Sequence, residues 1–220
     1  MEPFQVTILT MAMFLVFVQM VSSSVSAIVF RNINSWFFVG ATFAVAIGMV
    51  FINLLVLGPT NSAALIIIGD VVFGLVIGAT LGSFFLALAD NDSTLAAEGV
   101  AVSFAVTSVI TLVAALIGLL SGYNFQGLQG IMLAILFGVL IVSVIFIFIR
   151  LNRVVEMLFG LGVAVFFSIY MVVDFNTIVT RYHQATWQVA NEVAMKVYLD
   201  FLNILIRIAP YFIQALSHKR

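Results

Sequence analysis

The stretch GLQGIMLAILFGVLIVSVIFIFI, residues 127–149, holds 23 residues and no charged side chain. A helix needs roughly 20 mostly apolar residues to cross the hydrocarbon layer of a bilayer. A membrane-barrel strand would instead show about ten residues of alternating polarity. This run is longer than that and apolar on all sides, so it reads as a spanning helix. Working outward from it, the rest of the chain repeats the pattern. Seven spans fall near 5–29, 35–57, 63–89, 95–119, 127–149, 154–179 and 188–215. The stretches between them, near 31–34, 58–61, 90–93, 121–124, 150–153 and 181–184, carry turn formers or charges that prefer water. Asn91-Asp92-Ser93-Thr94 also reads as an N-cap for the fourth helix.

Composition agrees. The 220 residues are 64% hydrophobic and 8% charged, with mean hydropathy +1.28. Soluble domains carry about a quarter charged residues. Eight Lys+Arg and nine Asp+Glu cannot solvate a surface of this size, so a soluble globular protein is excluded. A net charge of −1 without a Lys/Arg cluster excludes a nucleic-acid binder. The absence of Cys excludes a disulfide scaffold or a thiolate metal site. The first span lacks a preceding basic stretch and exceeds a signal core, so it reads as a mature helix. The expected architecture is one all-α integral membrane domain over 1–220, with the lipid bilayer as its first partner. Arg31, Arg150, Arg153, Lys219 and Arg220 lie on one side and Arg181 on the other, which by charge alone puts the N-terminus outside. Gly74, Gly78 and Gly82 recur every four residues along the third span and predict a close helix–helix seam.

Function is sought among ionisable groups at membrane depth, which are costly there and tend to have a task. The candidates are Asp70, Glu98, Asp174, Glu192, Lys196, Asp200 and Arg207. Glu98, placed in the first turn of the fourth span, and Glu156 in the sixth are explained as charges near helix N-termini. Asp70 is deeper and is a possible interior acid. Glu192, Lys196, Asp200, Asn203 and Arg207 follow one another at spacings of four, four, three and four, which is one helix face. A polar stripe of this length should be shielded from lipid, so the last helix is expected to be central or to line a watery path. The bland alternative is an ion-pair ladder, worth tenths of a kcal/mol per pair at a wet surface.

The sixth and seventh spans share a pattern: Tyr170 before Asp174-Phe175-Asn176, and Tyr198 before Asp200-Phe201 and Asn203. In an antiparallel hairpin Asp174 and Asp200 share a depth if the chain reverses near residue 187. The last helix then starts near Ala190, with Trp187 as an anchor among the headgroups. Two carboxyls that meet in a low dielectric cannot both stay ionised, so they would share one proton. With that proton the pair latches two helices together. Without it the pair repels or takes up a cation, and calcium, a hard ion that prefers oxygen, is the natural metal for Asp174 and Asp200.

The segments 166–178 and 194–205, the second of which carries Tyr198-Leu199-Asp200-Phe201-Leu202-Asn203, resemble the last two helices of the Bax inhibitor-1 (transmembrane Bax inhibitor motif) family. The residues from Glu98 to Thr107 also resemble its fourth helix. The resemblance implies six helices around a central seventh. It implies a pH-regulated calcium leak, with Asp174 and Asp200 as the paired-aspartate proton sensor. It also implies an inside N-terminus, which is adopted here over the charge count. Some bacterial relatives instead associate with a membrane-anchored quality-control protease. The chain departs from the family at Lys196, whose tethered ammonium could take the cation's place. The second span also lacks an acid, for which Asp70 is the candidate substitute.

No resident cofactor is expected; calcium or protons would pass as cargo. The second reading is a regulator without transport, acting on a membrane-bound protease or a cell-death or stress partner. A remote third is a retinal protein with Lys196 as its Schiff-base lysine. An enzyme is not expected, since His183 and His218 lie in a loop and the tail and no nucleophile–base set is apparent.

Overall fold

A computed structural model describes residues 3–29, 40, 44–45, 48, 62–149, 152–181 and 186–219. Its long helices are α1 (Pro3–Val29), α2 (Ala63–Leu88), α3 (Ser93–Leu120), α4 (Gln129–Phe148), α5 (Arg153–Arg181) and α6 (Trp187–Ser217). A single 3-10 turn, Gln126–Leu128, leads into α4. No strand occurs among the described residues, so the barrel reading falls away. All six helices are long and apolar enough to cross a membrane. Their limits stay within about three residues of the sequence reading. The expected second span, 35–57, lies mostly outside the described residues; Gly40, Ala44, Val45 and Gly48 within it are helical. His183 also lies outside the described residues.

The α2–α3 corner shows why the chain turns where it does. Asp90 and Asn91 take positive φ angles of 49° and 67°, a conformation short polar side chains tolerate. The Asp92 carboxylate then accepts from Thr94 N at 2.9 Å and Leu95 N at 3.0 Å, capping α3 as expected. Because α3 begins at Ser93, Glu98 falls beyond the first turn. Its placement in the first turn is therefore corrected. Glu156 does lie in the first turn of α5.

The glycine stripe packs α2 against α1. A Cβ at Gly74 would approach the Val18 side chain at 3.1 Å. At Gly78 it would come 2.8 Å from the Gln19 carbonyl oxygen, and at Gly82 2.6 Å from Ser26 Cβ. Lipid tails are as apolar as leucine, so helices associate through such close packing and through hydrogen bonds. Ser22 Oγ supplies one, donating across the seam to Leu75 O at 2.8 Å. Ser23 and Ser24 bond back to Gln19 O and Met20 O of their own helix.

Helix α6 packs against α1, α2, α3 and α5. Its wholly buried side chains include Tyr198, Phe201, Ile204 and Leu205. Phe201 meets Phe104 of α3 with ring centroids 5.7 Å apart, and Tyr198 meets Phe73 of α2 edge-on at 5.8 Å.

Candidate functional site: a carboxyl pair between the last two helices

Asp174 on α5 and Asp200 on α6 are both buried, at 8% and 5% exposure, and their carboxyl groups lie within hydrogen-bonding reach of one another. An ionised carboxylate only accepts, so such a bond requires a proton on one partner. Asp200 Oδ2 is buried with no protein donor. The position between the two carboxyls therefore suits a single proton, or a cation that replaces it. Tyr170 lies one turn before Asp174 on the same helix. The sequence marks Tyr170 only by that spacing.

The register of the hairpin differs from the expectation. Helix α6 starts at Trp187, not near Ala190, because Thr186 serves as its N-cap and accepts from Val189 N at 3.4 Å. Asp200 stands thirteen positions after Trp187, while Asp174 stands seven before Arg181. The two acids still meet. For near-antiparallel axes, α6 then begins about 9 Å beyond the end of α5. Trp187, 41% exposed, sits at that projecting end.

The polar stripe does not form one environment. Lys196 Nζ pairs with Glu192 Oε1 at 2.8 Å, and both side chains are about half exposed. Only Asp200 of the five is buried. Asn203 Nδ2 donates to Leu199 O of its own helix at 2.8 Å. Arg207 is half-buried, donates from Nη2 to Ser143 Oγ at 3.5 Å, and lies 5.7 Å from the centre of the Phe159 ring. An exposed Lys196 paired with Glu192 is a poor Schiff-base lysine, which needs an enclosed pocket, so the retinal reading loses its support.

Asp70 is 2% exposed on α2. It faces Asn191 of α6, and with the amide oriented to suit the carboxylate, Asn191 Nδ2 donates to both oxygens at 3.1 and 3.2 Å. Asp70 is thus an interior acid, on a different flank of α6 from the Asp174 contact with α5. Asn191 was not anticipated; its only signal was an amide within an apolar face.

Asn176 is the other residue the sequence did not single out for a role. Its Nδ2 donates to Gly118 O at 3.0 Å and Tyr123 O at 2.7 Å, and its Oδ1 accepts from Phe125 N at 2.8 Å. One side chain therefore ties the α3–α4 connector to α5. Gly118 makes room for it: a Cβ there would lie 2.7 Å from Phe175 Cβ.

Among the described residues no three His, Cys, Asp or Glu side chains converge to hold a metal. Two carboxyls supply at most four oxygens, whereas calcium takes 6–8.

The profile described as "Inhibitor of apoptosis-promoting Bax1" matches residues 4–217. The chain belongs to the Bax inhibitor-1 family. The match spans nearly the whole chain, well beyond the last-quarter segments that first suggested it. No curated protein matches the sequence. Family membership and six apolar helices identify an integral membrane protein.

Proposed function

We propose that this Bax inhibitor-1 family protein is a pH-sensitive cation leak, with calcium as its cargo and the Asp174–Asp200 pair as its gate. The observation that carries the reading is the contact of two buried carboxyls across α5 and α6. With one shared proton the pair holds the helices together. Without it two negative charges face one another, and separation or cation entry relieves them. The reading extends to seven helices, six of them around the last. The membrane it occupies is the plasma membrane if the cell is prokaryotic, or an internal membrane if it is eukaryotic.

The test is calcium flux from liposomes carrying the purified protein, followed against pH. Flux should rise as the pH rises and the pair loses its proton. Asp200→Asn keeps a hydrogen bond to Asp174 without needing that proton, so its flux should be low and flat with pH. Flux that is absent at every pH, or unaltered in Asp200→Asn, ends this reading.

A second reading, a regulator without transport, is favoured by the family's description as an inhibitor. It predicts that a membrane protease or stress protein co-purifies with the chain, and that liposomes show no flux.

A further inference from the structure

We infer that Arg207 is the fixed positive charge guarding the aqueous mouth of the path to the carboxyl pair, an inference that rests on the channel reading above. Two cavities flank α6. The one beside α1 and α3, about 800 Å³, is lined largely by side chains such as Met13, Phe17, Leu116 and Phe201 and offers an ion few oxygens. The other, about 680 Å³, reaches Asp90 at the end of α2, Glu156 near the start of α5, and His218 just past α6. It extends along α6 to Ile206 and Arg207, ~15 Å of helix from Ser217. Pro210 also lines it, and having no N–H it leaves the Ile206 carbonyl without its helical donor. Asp90, Glu156, Arg153 and that carbonyl give the cavity polar groups of both signs, so it is a place that water and ions can enter.

Arg207 stands at the inner end. No carboxylate among the described residues lies within ion-pair distance of its guanidinium. Its guanidinium meets a neutral hydroxyl and an aromatic ring, so its charge is projected into the cavity rather than cancelled. It shares a helix face with Asn203 and with Asp200, ~10 Å away along α6. A cation moving from the mouth toward the pair meets Arg207 first. The tethered cation expected at Lys196 is thus better placed at Arg207, because Lys196 is exposed and already paired with Glu192.

The absence of Cys from the chain makes the test clean. The full-length protein carrying Ile206→Cys is reconstituted and treated with an anionic and a cationic methanethiosulfonate reagent of similar size. The cysteine should label, and the anionic reagent should be favoured. Adding Arg207→Gln should lower the anionic-to-cationic rate ratio by about threefold or more, while Arg207→Lys should preserve it. In the same liposomes Arg207→Gln should raise calcium flux several-fold, and Asp200→Asn should remove the gain. A cysteine that stays unlabelled, or a ratio that Arg207→Gln leaves unmoved, overturns the inference. So does a shifted ratio with unchanged flux while Asp200→Asn still alters flux; in that case the gate reading survives alone. A shifted ratio with no flux in any variant overturns gate and guard together.

Discussion

At the scale of single residues, two polar side chains two positions apart on α5 divide the work: Asp174 meets Asp200, and Asn176 serves the connector. Removing Asn176 leaves two carbonyls and one N–H without their partner, one of the carbonyls buried. Asn176→Ala should cost about 2–3 kcal/mol, seen as a lower midpoint of thermal unfolding in detergent. Asn176→Asp should not rescue it, since a carboxylate cannot donate to Gly118 O and Tyr123 O. Asp174 and Asp200 were legible because an acid in an apolar run is conspicuous and the two segments repeat one pattern. Asn176 and Asn191 were not, because an amide declares nothing about its partners until the fold brings a connector or Asp70 to it.

Helices were far more legible than partnerships. Long, predominantly apolar runs set the limits of α2 and α3 to within two residues or so, and the Asp92 cap was readable from residue type and position. What the pattern could not show is the relative slide of α5 and α6, since Thr186 starts α6 earlier than the depth-matching argument required. The glycine seam makes the sharpest prediction at this scale. At Gly74 an added methyl faces the end of the Val18 side chain, which can move. At Gly82 it faces the Ser23 carbonyl and Ser26 Cβ, which can move only with α1 itself. Gly74→Ala should therefore change stability by less than about 1 kcal/mol, and Gly82→Ala should lower it by about 1–3 kcal/mol. Equal unfolding midpoints for the two variants would show that the seam is looser than its geometry.

For the whole molecule, the proposed gate makes proton and cation compete for one position between two helices, so that binding one expels the other. Adding calcium to the purified protein at a fixed pH near the midpoint of its flux profile should release protons into a weakly buffered solution. Asp200→Asn should release none. A release that survives this substitution would locate the competition elsewhere.

The knot formed by Asn176 has a mechanical corollary. Tyr123, 74% exposed, sits in the connector that Asn176 grips. Any sliding of α5 that parts the acids must drag this connector along. An antibody fragment clamped on Tyr123 from the water would then act as a brake on the proposed gate, which it never touches.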